Sequence, residues 1–206
     1  MTIELINELF RTLKPTGSLY CWCGIGEKSQ SLIKFYDLFN QSKFYFKELI
    51  TWKKQRGMGM RKGWLQTSEF TQWYVKDNKQ FIWNEDKQYS EEKRPFSIKK
   101  KGGEMVNKSE YKRITNVWID INEVGYGSSP QKFKETRDKL KHVTPKPVDT
   151  YKRIIELHTQ EGDIVLDTFM GSGTCAVACD ELNRRYLGFD TDELCVEVSN
   201  SRVNQK

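Results

Sequence analysis

Long apolar runs are missing from this chain of 206 residues. A membrane-spanning helix needs about 18 or more consecutive apolar residues, and no stretch approaches that. Met1 to Phe10 alternates acids with aliphatics, whereas a secretory leader is basic and then apolar. The two absences predict a cytoplasmic protein with no membrane anchor. Histidine is scarce at two residues, and the five cysteines do not fall into Cys-x-x-Cys or histidine-paired spacings. Zinc clusters show such pairs, so no metal site is expected. Cys21 and Cys23 share one face of an expected strand, while Cys175, Cys179 and Cys195 lie on or near expected helices, all as small buried thiols. The five prolines are Pro15, Pro95, Pro130, Pro145 and Pro147, no two of them adjacent. Internal repeats and low-complexity runs are also missing.

What is present suits one α/β domain with an elaboration: the hydrophobic fraction is 37%, lean but adequate for a core. The formal net charge is +6, which fits a polyanionic partner as well as a solvated surface. Its distribution favours the first. Between Lys53 and Trp64 five cations, Lys53, Lys54, Arg56, Arg61 and Lys62, stand among three glycines. Read as a mobile loop, this segment can wrap a phosphate backbone with Trp64 available for stacking; a flexible solvated turn after a strand is the plainer alternative. Lys99-Lys100-Lys101-Gly102-Gly103 reads equally well as an exposed basic hairpin turn.

Periodicity supplies the elements. Ile3 to Leu13 reads as a helix, with Ile3, Ile6, Leu9 and Phe10 on one face and Lys14-Pro15 ending it. Ser18 to Cys23 reads as a strand, Lys28 to Asn40 as a helix, and Phe44 to Lys53 as a second strand. Phe70 to Val75 and Gln80 to Trp83 read as a hairpin around Asp77-Asn78. From residue 85 to 140 the pattern breaks into lysine- and glutamate-rich sequence with apolar islands at Phe96 to Ile98 and Val117 to Ile121. Val148 to His158 is the next helix.

The most informative segment follows. Ile164-Val165-Leu166-Asp167 is an apolar run that breaks at an acid and passes into Thr168-Phe169-Met170-Gly171-Ser172-Gly173-Thr174. A strand thus feeds a helix through a glycine turn, where the backbone can approach a ligand and the helix N–H groups face the same space. After the helical stretch Cys175 to Asn183, the short strand Arg185 to Phe189 ends at Asp190, whose carboxylate can accept both hydroxyls of a ribose or cap the helix that follows. The spacing by itself describes a Rossmann-like nucleotide site.

Asp167-Thr168-Phe169-Met170-Gly171-Ser172-Gly173-Thr174 resembles the D-P-F-x-G-S-G-T cofactor loop of the DNA amino-methyltransferases, which methylate the exocyclic nitrogen of adenine or cytosine. Lys141-His142-Val143-Thr144-Pro145-Lys146-Pro147 is similar to the K-H-P-T-Q-K-P segment that precedes this loop in the circularly permuted branch. Leu13-Lys14-Pro15-Thr16-Gly17 resembles L-K-P-G-G at the start of a strand, Glu48-Leu49-Ile50-Thr51-Trp52-Lys53-Lys54 the strand after it, and Thr67-Ser68-Glu69 through Lys76 the H-E-x-x-x-x-x-x-K stretch. Nearly the whole chain is covered, residues 85 to 140 least well. Thr168 stands where the loop usually has proline, which removes a φ restraint; Val143, Pro145 and Ser68 are further departures.

The resemblance implies an α/β, Rossmann-like S-adenosylmethionine-dependent methyltransferase sheet. Residues 1–84 form its first part, 85–140 an inserted target-recognition region or a partly ordered surface insertion, and 141–206 the cofactor-binding part. Phe169, Gly171, Gly173 and Thr174 would shape the methionine end of the cofactor, Asp190 would hold the ribose, Asp167 would approach the amino group, and Lys146 and Pro147 would border the pocket. Double-stranded DNA is the implied partner. Relatives also carry a D-P-P-Y or S-P-P-Y tetrapeptide before L-K-P-G-G, on a strand between the one ending at Asp167 and the one at Ser18 to Trp22. These 206 residues hold no Pro-Pro pair, so no catalytic residue is assigned and the sheet is expected to be incomplete at the N-terminus. The catalytic element is expected upstream of Met1 or on a second chain; the other reading is a non-catalytic DNA- or cofactor-binding subunit.

Overall fold

Thr2 opens the first helix: its hydroxyl accepts the Leu5 N–H at 3.4 Å, a weak N-terminal cap. This is α1, Ile3–Thr12, followed by β1, Ser18–Cys23. The computed structural model describes residues 1–26, 29–58, 62–95, 109–123 and 145–203. Within them the order continues with α2, Ser31–Asn40; β2, Tyr45–Met58; β3, Gln66–Val75; a 3-10 turn, Glu85–Gln88; β4, Tyr89–Lys93; β5, Tyr111–Arg113; and β6, Val117–Trp118. The C-terminal part contributes α3, Val148–His158; β7, Ile164–Asp167; α4, Thr174–Glu181; β8, Arg185–Gly188; and α5, Glu193–Val203.

The chain divides into two compact units, Met1–Thr51 with Phe70–Trp118 and Trp52–Glu69 with Ile119–Lys206. In the first, the sheet runs in the order β1-β3-β2-β6. β1 lies antiparallel to β3 in a continuous register from Ser18 opposite Val75 to Cys23 opposite Phe70. Alternation along these strands sends Cys21 and Tyr74 to one face, where Ile6, Phe39 and Phe44 complete a buried core. Phe39 stacks on Tyr74 with ring centroids 4.0 Å apart. The Tyr74 hydroxyl donates to Gln72 Oε1, and Gln72 Nε2 donates to the Leu32 carbonyl, so these two buried polar side chains are paired.

Two sequence expectations are corrected. Gln80 to Trp83 is not a strand, and the hairpin around Asp77-Asn78 does not form. Phe81 and Trp83 instead pack their rings on Trp73, at 5.5 and 5.4 Å, while Ile82 donates its N–H to the Thr16 carbonyl. Aromatic packing thus wins over strand pairing for this segment. The second strand also extends past Lys53 to Met58, so Lys53 to Met58 is a strand arm and not part of a mobile loop. Arg61 and the segments 96–108 and 124–144, which include Lys99 to Lys101 and Lys141 to Thr144, lie outside the described residues.

In the second unit β7 and β8 pair in parallel, from Ile164 opposite Arg185 to Asp167 opposite Gly188. One face is covered: Ile155, Cys175, Ala178 and Cys179 form a buried cluster against Val165 and Tyr186. The alternate residues Ile164, Leu166 and Leu187 are 53%, 40% and 49% exposed. Among the described residues β7 has β8 as its single sheet neighbour, and β1 has β3. All five cysteines are buried free thiols. Among the described residues, no group of histidine, cysteine and acid side chains could hold a metal ion, and no helix is long and apolar enough to cross a membrane.

Candidate cofactor site and basic hairpin

The turn after β7 is built by two glycines with different duties. Gly171 has φ +49 and Gly173 φ +76, the left-handed region that glycine adopts without strain. A Cβ on Gly173 would stand 2.8 Å from the Ser199 Cα, so this residue lets α4 and α5 approach closely. A Cβ on Gly171 would meet nothing within 4 Å. The space beside Gly171 is open, as a ligand cradle requires.

Two acids frame that space. Asp190, at the end of β8, accepts the Gly171 N–H on Oδ2 at 2.8 Å and the Asp192 N–H on Oδ1 at 3.0 Å. It therefore ties the second strand end to the glycine turn, and the residue that anchors the N-terminus of α5 is Asp192, which accepts the Leu194 N–H. Asp167, at the end of β7, accepts the Phe169 N–H at 3.1 Å. Burial raises its pKa above the ordinary 3.8, the Phe169 N–H opposes this, and the neighbouring Asp190 charge adds to the rise. Phe169 is 62% exposed beside them. No side chain caps the N-terminus of α4, whose first residue is Thr174.

Several participants were not legible in the sequence. Arg202, on α5, donates to the Ser172 carbonyl at 2.5 Å and reaches Thr174 Oγ1 at 3.5 Å, bracing the turn from behind. Tyr151, on α3, feels the charges of both Asp167 and Glu69, and burial holds its phenol well above the ordinary value of 10.0. Glu69 is the centre of an ion clasp: Lys54 Nζ lies 3.0 Å from Oε1 and Lys146 Nζ 2.7 Å from Oε2. Neither lysine nor the glutamate is more than 22% exposed. Only the pairing of Lys54 and Glu69 across a hairpin could have signalled this, and that requires the strand register.

The clasp places the predicted site residues. Lys146 lies within the cofactor unit with its ammonium on Glu69, and Pro147 starts α3. Lys54, expected on DNA, instead fastens the base of the β2–β3 hairpin. Lys53, Lys62 and Trp64 are exposed, Trp64 at 94%; the Arg56 side chain is outside the described set. The hairpin base is held further by Trp52 Nε1, which donates to the Ile121 carbonyl at 2.9 Å.

The clasp has a pH signature. Burial works to raise the Glu69 pKa, but Lys146 and Lys54 outweigh it and hold the carboxyl below its ordinary 4.5. A lowered carboxylate contributes stability that is fully present above its unfolded pKa and lost as pH falls through the folded one. Thermal unfolding below pH 4.5 should therefore be steeper in pH for the natural chain than for Glu69→Gln. Equal slopes would show that the clasp does not stabilise the fold.

Comparisons with known proteins give the family. The chain is 29% identical over 204 residues to the type II methyltransferase M.HpaI of Haemophilus parainfluenzae, covering 98% of this chain and 58% of that protein. It is 32% identical over 214 residues to the type II methyltransferase M1.MboII of Moraxella bovis, covering 99% and 78%. Among solved structures, the M1.HpyAVI–SAM complex superposes with a TM-score of 0.67 at 25% identity, covering 98% of this chain and 81% of that one. The chain spans between about half and four fifths of these relatives. A family profile described as DNA methylase, N6_N4_Mtase, matches residues 1–201, and the chain belongs to that family.

Proposed function

We propose that this chain is the cofactor- and DNA-binding body of an S-adenosylmethionine-dependent DNA methyltransferase. It would act in the cytoplasm on an exocyclic amino group of double-stranded DNA, adenine N6 before cytosine N4. The observation that carries the reading is the Asp190 carboxylate on the Gly171 N–H, which brings both strand ends to one open cradle.

The residues present fit the cofactor. Beside Gly171 there is room for a ligand against the backbone. Asp190 would accept ribose hydroxyls, and Asp167, held above its ordinary pKa by burial, would gain most from an N–H donor that favours its ionised form. Phe169 offers an exposed ring, and Gly173 and Thr174 fix the turn. Lys146 and Pro147 would border the pocket on the α3 side. When bound, S-adenosylmethionine supplies the methyl group as an activated sulfonium. The protein's part is alignment, exclusion of water and access for a base taken out of the stack. The exposed Lys53 and Lys62, with Arg56 and Arg61, would meet the phosphate backbone while Trp64 is available for stacking, and residues 85–140 would read sequence.

The amine-binding tetrapeptide is not among these residues. The exposed Ile164, Leu166 and Leu187 on the uncovered face of β7–β8 support its arrival on a further segment or a second chain, since apolar sheet faces of this kind are normally covered. The same observation favours a second reading, a non-catalytic subunit of a split methyltransferase. Labelled-methyl transfer to duplex DNA, with nucleoside analysis of the product, decides. Transfer that appears when a D-P-P-Y-bearing segment is added, yielding N6-methyladenine, supports the first reading. N4-methylcytosine would replace the base assignment, and DNA binding without transfer in any combination would leave the subunit reading.

A further inference from the structure

Five of the six tryptophans are at least partly buried, and Trp64 is the exception at 94% exposure, the highest among the large exposed apolar side chains. An indole held in water forfeits the burial that usually justifies the residue. Its position is nevertheless built. Leu65, next to it, lies over Gly57 on the opposite arm, so that a Cβ on Gly57 would stand 2.3 Å from Leu65 Cγ. Lower on the hairpin, the Lys54–Glu69–Lys146 clasp ties both arms to the chain entering α3, beside Tyr151, which also senses Asp167. The hairpin arms and the cofactor turn belong to one compact unit. Lys53 and Lys62 are exposed on the same hairpin.

We propose that Trp64 is a stacking wedge: its indole inserts into a DNA duplex at the gap left by a base that has moved out of the stack. The inference rests on the DNA-methyltransferase reading above and adds a residue that holds the duplex open. Extruding a base costs unstacking, and an aromatic plane placed in the gap restores part of it. The neighbouring cations supply attraction to phosphate that is independent of the gap.

An abasic site is a ready-made gap, so the probe is a pair of fluorescein-labelled 24-base-pair duplexes, one intact and one with a single central abasic site, titrated by anisotropy. The full chain should favour the abasic duplex by about ten-fold, the scale of one base–aromatic stack. Trp64→Ala should remove the preference and Trp64→Phe retain part of it, whereas Lys62→Ala should weaken both duplexes in the same ratio. Because the ring is solvent-exposed, neither tryptophan variant should disturb folding. A preference that survives in Trp64→Ala, or equal binding of the two duplexes by the unsubstituted chain, would overturn the wedge while leaving the DNA reading intact. Failure to bind either duplex would overturn the DNA reading itself and the wedge with it.

Discussion

Gly173→Ala should destabilise the chain by about 2–5 kcal/mol. Two costs add: a left-handed φ of +76 penalises an L-residue by about 1–2 kcal/mol, and overpacking costs about 1–3 kcal/mol more. The second cost is specific, because the new methyl would stand 2.8 Å from the Cα of Ser199, a backbone atom that cannot rotate away. Gly171→Ala carries the φ cost of about 1–2 kcal/mol without a steric one, since nothing lies within 4 Å of its Cβ position. Its larger effect should be on cofactor affinity, for the methyl points into the open cradle. Denaturant midpoints at constant slope, together with ligand titrations, separate the two. Equal destabilisation by both substitutions would contradict the division of labour between the glycines.

Asp190→Asn should leave the chain folded and weaken cofactor binding. The asparagine oxygen can still accept the Gly171 N–H, which the carboxylate meets at 2.8 Å. What is lost is the charge and the second acceptor, the oxygen that also takes the Asp192 N–H at 3.0 Å. Hydrogen bonds to a charged group are worth about 1.5–3 kcal/mol each, so affinity for S-adenosylmethionine should fall by roughly ten- to a hundred-fold. Asp190→Ala removes the tie to Gly171 as well, and should lower both affinity and stability. If Asp190→Asn bound as tightly as the natural chain, the carboxylate would serve the turn alone.

The legible part of this molecule was the part encoded locally. β1 at Ser18–Cys23 and α3 at Val148–His158 lie where periodicity places them, because alternation and the 3.6-residue repeat report a face that packs. The glycine turn was legible because Gly171 and Gly173 occupy a conformation that few residues tolerate. Phe81 and Trp83 misled, since aromatic residues favour strands and ring packing alike, and only the position of Trp73 decides between them. The ion clasp was hidden for a different reason. Lys54, Glu69 and Lys146 are distant in sequence, and lysines among glycines read the same whether they face phosphate or a partner acid. Arg202 likewise braces the turn from 28 residues beyond Thr174, with no motif of its own.

The most direct test of the account is a calorimetric titration of the purified chain with S-adenosylmethionine, repeated with Asp190→Ala. The natural chain should bind saturably, and the variant should bind at least about ten-fold more weakly. A natural chain that unfolds cooperatively yet shows no binding, or a variant that binds as tightly as the natural chain, would contradict it.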